Sequence, residues 1–233
     1  MPRPAVKQYC LRKIRKIRHR KGYGVHSPFA YSLITKVIEE KSGYYAYQRI
    51  EDLHRTLHDK YDFGKNKCRL LFRLTNRFKP AYIIECGSKG GYSTLYMQQG
   101  CPSAHILCIE ERDIHRAAAE QLLMRMPGNT TFINMPTAQG VKHLIDTGVS
   151  LDFVFIHTQP SAQQYLEILY TLRPALSAHS VVVVDGIRRR KEMLHIWQQF
   201  TRDEHIRVTF DLYNIGIAFC NPKLNKQNYI VAF

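Results

Sequence analysis

From residue 80 onward, short apolar runs alternate with segments whose apolar residues have helical spacing. Four of the first five runs are almost wholly apolar, as is typical of strands buried on both faces of a parallel sheet. This alternation predicts a doubly wound α/β fold. The predicted strands cover 81–85, 105–110, 130–134, 151–157 and 180–185, and the predicted helices cover about 91–98, 111–125, 136–146, 161–173 and 189–200.

The C-terminal part of the chain departs from this alternation. Three apolar segments, 206–212, 215–220 and 228–233, follow one another with short connections. Short connections favour antiparallel neighbours, because parallel strands need a long crossover. We therefore expect a mixed sheet of seven strands with antiparallel strands at its C-terminal edge.

Residues 1–79 are predicted to form a basic helical arm or cap on an α/β domain that covers 80–233. In 5–20, apolar residues at near-helical spacing alternate with cations, which predicts an amphipathic basic helix. Ser27 and Pro28 are a typical helix start, since serine caps and proline suits the first helical position. Further helices are expected at about 47–60 and 66–78.

Positive charge is concentrated near the N-terminus. The formal net charge is +15, and residues 1–38 carry ten basic residues and no acid. Such a surface attracts nucleic acid or another acidic partner through long-range fields. The alternatives are a solvated helix face that keeps the protein in solution, a membrane surface, or a contact between two copies in a homodimer.

Cysteine usage and hydropathy predict a cytoplasmic protein. The six cysteines form no CxxC pair and have no regular spacing, so we expect reduced, mostly buried thiols rather than a disulfide framework or a zinc site. No run approaches the roughly 18 to 20 apolar residues of a membrane-spanning helix, and we expect no transmembrane segment. The N-terminus lacks the apolar core of a signal peptide.

The stretch YIIECGSKGGYS places an acid and then glycines at the end of a predicted strand. Glu85 is followed by Gly87, Gly90 and Gly91. In doubly wound sheets ligands bind beyond the carboxyl ends of the strands, where glycine lets the backbone approach a ligand. A helix starting near Gly91 offers free N–H groups. The spacing does not fit G-x-G-x-x-G, and an acid here repels a pyrophosphate but suits a ligand with a cationic portion.

A second acid, Glu110, ends the next predicted strand. An acid about 20 residues after a glycine turn suits the two hydroxyls of a ribose. Glu85, the glycine turn and Glu110 together therefore point to a nucleoside that carries an amino-acid-like end.

Here the sequence resembles a known family. ECGSKGGYS resembles motif I of class I S-adenosylmethionine-dependent methyltransferases, and most of all that of the small O-methyltransferases related to catechol O-methyltransferase. IEERD resembles their ribose-binding acid after the second strand. HSPF and DLYNIG resemble a bacterial group of this class with a helical N-terminal extension. The resemblance covers about 80–220 and implies a Rossmann-like sheet and S-adenosylmethionine as the cofactor.

The resemblance also implies roles for individual residues. Glu85 would lie near the methionine amino group, Ser93 would bind the methionine carboxylate, and Glu110 would bind the ribose. The other implied cofactor contacts are Gly87, Ser88, Gly91 and Tyr92 in the same motif, and Ala138 and Gln139 near the adenine.

The metal site of the metal-dependent relatives is altered. Those enzymes hold magnesium with an acid that ends strand four and an acid–acid or acid–Asn pair that ends strand five. Here His157 takes the first position, Asp185 is kept, and Gly186 follows; Pro160 stands where the relatives have a catalytic lysine. Magnesium prefers oxygen ligands. We therefore predict no magnesium site, and His157 and Asp185 become the candidate catalytic residues.

Three interpretations of this pair stay open. A histidine beside a carboxylate is a reasonable general base without metal. In the second interpretation the two residues are ligands of a softer divalent ion such as zinc or manganese. In the third interpretation the site has lost its chemistry and the chain is a binding protein.

The expected function is methyl transfer from S-adenosylmethionine to an oxygen of a small-molecule acceptor. One alternative is a nucleic-acid methyltransferase, suggested by the basic arm and by the cations at 188–191, which follow Asp185 and also suit an acidic substrate. The other is a catalytically inactive protein of the same fold.

Overall fold

The computed structural model describes residues 15, 22, 24–57, 64–158 and 161–233. Within these residues eight strands form one sheet in the order β3-β2-β1-β4-β5-β7-β6-β8. The strands are β1 (Tyr82–Cys86), β2 (His105–Ile109), β3 (Thr130–Ile133), β4 (Phe153–Ile156), β5 (Val181–Asp185), β6 (Val208–Asp211), β7 (Ile215–Phe219) and β8 (Gln227–Ile230).

Strands β1 to β5 are parallel, which confirms the doubly wound α/β class. Strand β7 pairs antiparallel with both β5 and β6, so the expected antiparallel pairing at the C-terminal edge is also confirmed. The sheet has eight strands rather than seven. All eight apolar segments form strands, so the expected total of seven is one too low. Strand β8, from the segment 228–233, is a largely exposed edge strand that pairs parallel with β6 rather than antiparallel.

The helices lie close to their predicted positions, because the apolar periodicity that predicts them is also what they bury. Ser27 caps α1, its hydroxyl accepting a hydrogen bond from the backbone N–H of Ala30, and Pro28 is the first helical residue. A π-helical turn, Ile34–Ile38, follows. The helices are α1 (Pro28–Leu33), α2 (Tyr45–Leu57), α3 (Lys65–Phe78), α4 (Tyr92–Gly100), α5 (Asp113–Leu123), α6 (Thr137–Asp146), α7 (Ala162–Leu172) and α8 (Lys191–Arg202).

Hydrophobic residues cover both faces of the sheet. On one face, residues of α1, the π-helical turn and α3 share a cluster with Ile83, Phe153 and Phe210. On the other face, residues of α6, α7 and α8 pack against Ile84 and Val182. The helices before residue 79 therefore contribute directly to the core of the sheet, while the proposed domain boundary at 79/80 stays a prediction.

The order of the strands determines where a ligand site lies. From β1 the chain builds outward through β2 to β3, and it then returns to place β4 on the other side of β1. The switch in direction is therefore between β1 and β4, and ligands in such sheets bind beyond the carboxyl ends of the strands at this point.

Two further expectations concern the arm and the cysteines. The predicted helix at 5–20 and Cys10 lie outside the described residues, except for Arg15, whose guanidinium contacts the Asp211 carboxylate at 2.9 Å. The five described cysteines are buried and free, as predicted.

Candidate functional site at the carboxyl ends of the strands

The turn between β1 and α4 requires glycine at two positions. Gly87 has φ 89°, and a side chain there would approach the backbone nitrogen of Thr158 to 3.1 Å. Gly91 has φ 80°, and a side chain there would lie 2.9 Å from Ala119 in α5. Residues other than glycine rarely adopt such φ values. The turn is therefore held tightly between the loop after β4 and helix α5.

Glu110 connects the end of β2 to this turn. Its carboxylate is buried and accepts hydrogen bonds from the backbone N–H groups of Ser88 (2.9 Å), Lys89 (3.1 Å) and Arg112 (3.1 Å). The Ser88 hydroxyl donates a further bond at 3.2 Å. The acid that the sequence singles out thus fixes the shape of the glycine turn, whatever ligand it also binds.

Two adjoining cavities lie beside this turn. The larger, of about 320 Å³, is lined by Gly87 and Glu110, and the smaller, of about 200 Å³, by Ala138 and Gln139. Both are also lined by Glu111, Thr137 and Thr158. The fold therefore brings four of the predicted cofactor residues to one cleft, although they come from three separate segments of the chain.

The remaining predicted cofactor residues lie at the end of β1, in the glycine turn and at the start of α4. Glu85 is fully buried, and its carboxylate accepts hydrogen bonds from the hydroxyls of Ser93 and Thr94. Burial raises the pKa of Glu85 to about 7, against the opposing effect of these two hydrogen bonds. Tyr92 is buried with its ring against that of His54. The cofactor roles of Glu85, Ser93 and Tyr92 stay predictions.

The two predicted catalytic residues lie side by side. His157 directly follows β4 and Asp185 ends β5, which are paired strands. The Nε2 atom of His157 is 3.3 Å from the Asp185 carboxylate, and both side chains are mostly buried. The backbone N–H groups of His157 and Thr158 donate to the carbonyl oxygen of Cys86 at 2.9 and 2.8 Å, which fixes this loop to the end of β1.

Three described cations lie around His157 and Asp185, and one of the three was predicted from the sequence. The Lys67 Nζ atom, from α3, is 2.8 Å from the Asp185 carboxylate and 3.5 Å from His157 Nε2. Lys89 Nζ is 3.3 Å from the same His157 nitrogen, and Arg189 is 3.7 Å from Asp185. Arg189 belongs to the basic run that the sequence highlights. Lys89 lies within the motif itself, but nothing in the local pattern around Lys67 distinguishes it from an ordinary surface lysine.

The environment of His157 makes it a weak base. Burial and the Lys67 ammonium together lower its pKa to about 3, against the opposing effect of the Asp185 carboxylate. Its Nδ1 atom is buried and has no hydrogen-bond partner among the residues that the structure describes. The imidazole is therefore neutral at neutral pH and holds a proton poorly, in contrast to the general base that the sequence suggests.

The donor set does not fit the divalent metal of the metal-dependent relatives. Asp185 supplies one carboxylate, and Gly186 has no side chain to supply a second. In the part of the chain that the structure describes, no cluster of three or more His, Cys, Asp or Glu residues is placed to hold a metal ion. An ammonium group already contacts the one carboxylate, which opposes cation binding. Pro160, in the position of the relatives' lysine, lies outside the described residues.

Comparison with known proteins shows what this part of the chain is similar to. A family model described as a methyltransferase domain matches residues 84–187, which include the glycine turn, Glu110, His157 and Asp185. Residues 84–187 are therefore similar to a methyltransferase domain over a little less than half of the chain.

Solved structures confirm the methyltransferase fold. The S-adenosylhomocysteine-bound methyltransferase PaMTH1 of Podospora anserina superposes with a TM-score of 0.64 at 15% identity, over 83% of this chain and 96% of that one. The O-methyltransferase TomG of Streptomyces achromogenes, solved with S-adenosylmethionine, superposes with a TM-score of 0.60 at 15% identity, over 77% of this chain and 91% of that one.

The curated relatives match over a shorter region. The "Transmembrane O-methyltransferase" of Propithecus coquereli is 36% identical over 77 residues, which are 32% of this chain and 28% of that protein. The chain thus spans about a quarter of the length of the curated relatives that it matches. In the described ranges of the present chain, no helix combines the length and the apolar character needed to cross a bilayer.

Proposed function

We propose that the protein is a methyltransferase that transfers the methyl group of S-adenosylmethionine to an oxygen of a small-molecule acceptor. The observation that carries this proposal is the cleft in which Glu110, after β2, faces the same cavity as Gly87, after β1. The methyltransferase domain match and the O-methyltransferase structural neighbours support the same function.

The cleft has room and partners for the proposed cofactor. Its larger cavity, about 320 Å³, is near the lower end of the roughly 300–1,000 Å³ typical of ligand pockets. We assign the ribose to Glu110, whose carboxylate can accept two hydroxyl hydrogen bonds, and the adenine to the neighbouring cavity beside Ala138 and Gln139. The methionine end then points toward Glu85 and Ser93, where a ligand ammonium would replace hydroxyl contacts on the Glu85 carboxylate.

The proposed reaction is a direct displacement in which the acceptor oxygen attacks the sulfonium methyl group. Holding the two reactants in line supplies much of the rate in such reactions. We place the acceptor beside His157 and Asp185. His157 contacts the acceptor as a neutral imidazole, because its pKa of about 3 makes it a poor proton acceptor. Asp185 orients Lys67.

Titration calorimetry with S-adenosylmethionine and S-adenosylhomocysteine tests the cofactor assignment. We expect micromolar binding that Glu110→Ala abolishes. The matched control is Glu120→Ala, because Glu120 is in α5 and forms a helix-surface ion pair with Arg116. Circular dichroism verifies that both variants fold. Absence of binding at millimolar ligand would refute the proposal, and binding without any transfer to a panel of hydroxylated acceptors would favour an inactive binding protein.

The basic residues in 1–38 and 188–191 are the reason for two further proposed partners, nucleic acid and a second copy of the chain. Arg188 already donates to the Asp211 carboxylate and to the carbonyl oxygen of Tyr213, and Arg15 contacts the same carboxylate. Part of the positive charge is therefore neutralised within the protein. A nucleic-acid substrate predicts affinity that falls steeply with salt, and loss of binding when residues 1–22 are deleted; salt-independent behaviour would exclude it.

A further inference from the structure

Positive charge exceeds negative charge where the proposed acceptor binds. Lys67, Lys89 and Arg189 converge there. Lys67 and Arg189 contact the Asp185 carboxylate, and Lys89 contacts His157 within the electrostatic reach of that carboxylate. The Glu110 carboxylate is nearby, but backbone N–H groups of the glycine turn already hold it. Among the described residues around this site, positive charge is therefore in excess even when Glu110 is counted.

The Lys67 ammonium lies between the ends of β4 and β5, against His157 and Asp185, which the resemblance aligns with the ligand positions of metal-dependent O-methyltransferases. It is 2.8 Å from the Asp185 carboxylate and 3.5 Å from Nε2 of His157. In place of a second acid the chain has Gly186, and Arg189 approaches from the following loop. An ammonium and a divalent cation share one property that matters for methyl transfer, which is attraction for a negatively charged oxygen.

We propose that this site binds the accepting oxygen of the substrate as an anion, with the Lys67 ammonium in the place of a divalent metal ion and Lys89 as a second contact. The acceptor is then a small molecule with an ionised oxygen, such as an acidic phenol, an enol or a carboxylic acid. The inference rests on the proposed methyl transfer and adds the class of acceptor.

Lys89 connects this site to the cofactor cleft. Its side chain lines the cavity that also contains Gly87 and Glu110, and its Nζ atom is 3.3 Å from His157 Nε2. An anion held between Lys67 and Lys89 is therefore next to the cofactor cleft. Burial lowers the pKa of Lys89, and the nearby Lys67 and Arg189 cations lower it further, while Asp185 and Glu110 oppose this; a bound anion would relieve the repulsion.

The reaction balances without a general base. The oxyanion supplies the electron pair of the new O–CH₃ bond, the S–CH₃ bond breaks, and its electron pair goes to sulfur to give the neutral thioether S-adenosylhomocysteine. The anion and the sulfonium cation thus become two neutral groups. The proton of the acceptor leaves to solvent when the anion binds, so a weakly basic His157 is sufficient.

The test is the ionisation of 4-nitrophenol, whose anion and neutral form absorb at different wavelengths, when bound to the full chain saturated with S-adenosylhomocysteine. An opposite charge within hydrogen-bond range lowers the pKa of an acid by about 1 to 3, and we expect a shift of that size for the bound probe. Lys67→Met should abolish most of the shift. The control is Lys65→Met, which makes the same change in the same helix. Lys65 is half-exposed and pairs with Glu51, so this variant should leave the pKa shift of the probe intact.

Three outcomes would overturn the inference: failure of the probe to bind, the same shift in Lys67→Met, or loss of the shift with a chelator, which would show that a metal ion holds the anion. Lys67→Arg keeps the charge and should keep most of the shift, which separates loss of charge from misfolding. S-adenosylhomocysteine binding, measured by calorimetry on each variant, tells the two proposals apart. A cofactor that binds without a probe shift refutes the anion site alone.

Discussion

The ammonium of Lys67 lies 2.8 Å from the carboxylate of Asp185, although 118 residues separate them in the sequence. Lys67 comes from α3, one of the helices that precede the sheet, and Asp185 ends β5. The N-terminal helices therefore supply a charged group to the candidate site as well as apolar residues to the core. This contact links the function of the site to the stability of the molecule.

Asp185→Asn should separate the effect of this contact on ligand binding from its effect on the stability of the fold. The change removes the carboxylate that Lys67 and Arg189 contact and that lies near Lys89. A hydrogen bond to a charged group contributes about 1.5 to 3 kcal/mol, so we expect the free energy of unfolding to fall by about 2 kcal/mol. The positive potential of the site rises at the same time, so 4-nitrophenolate should bind more tightly. Urea unfolding and absorbance titration measure the two quantities.

Asp113→Asn is the matched control for this change. Asp113 forms an exposed ion pair with Arg116 at 3.1 Å, and exposed pairs contribute at most about 1 kcal/mol. It should change neither quantity appreciably. Weaker binding of the anion to Asp185→Asn would show that Asp185 contacts the acceptor itself.

Glycine substitutions can separate backbone strain from steric contact in the turn after β1. Gly91 and Gly148 have similar φ values, 80° and 76°, but a side chain at Gly148 would meet no atom within 4 Å. A residue with a side chain costs about 1 to 2 kcal/mol at such φ values. Gly148→Ala should lose about that much stability, while Gly91→Ala should lose more, because its side chain would press on Ala119 of α5.

Thermal melting and calorimetry with S-adenosylhomocysteine test this pair of variants. Gly91→Ala should also weaken ligand binding, since it displaces the turn that Glu110 holds. Equal losses of stability in both variants would mean that α5 moves aside at little cost and that the turn tolerates a side chain.

The sequence predicted the parts of this structure that depend on local pattern. Buried strands read as apolar runs, and the glycines and the acids at the strand ends mark the cleft because paired parallel strands bring their carboxyl ends together. The proximity of His157 and Asp185 follows from the same rule. Lys67 could not be found in this way, since its contact depends on how α3 packs across the sheet. The low pKa of His157 also depends on tertiary packing, because its causes are burial of the imidazole first and then the nearby Lys67 and Lys89 cations.

The stability of the fold should depend on pH through Glu85. Burial raises its pKa from 4.5 to about 7 in the folded state, so the folded protein binds a proton that the unfolded chain has released between these pH values. The free energy of unfolding should therefore fall as pH rises from about 4.5 to 7 and then level off. A shift of this size corresponds to about 3 kcal/mol. Urea unfolding at a series of pH values measures it.

Two variants identify the source of this slope. Glu85→Gln should remove it, because the amide does not titrate. Glu51→Gln provides the contrast. Burial raises the pKa of Glu51, but Lys65 and Arg69 outweigh burial and lower it. The stability that ionised Glu51 contributes is therefore present at neutral pH and is lost only as pH falls below about 4.5. A wild-type slope that persists in Glu85→Gln would assign the effect to another group.

The same proton should be linked to cofactor binding. If the amino group of the ligand contacts Glu85 as proposed, it favours the ionised carboxylate, and a ligand that binds one protonation state better shifts the equilibrium toward that state. The affinity for S-adenosylhomocysteine should then rise as pH increases toward 7 and level off above it, about tenfold for each pH unit well below that value. Calorimetry at several pH values tests this, and Glu85→Gln should bind more weakly and without the slope. Affinity that is independent of pH in the wild type would place the ligand's ammonium group elsewhere, with Glu85 serving only to hold Ser93 and Thr94 at the start of α4.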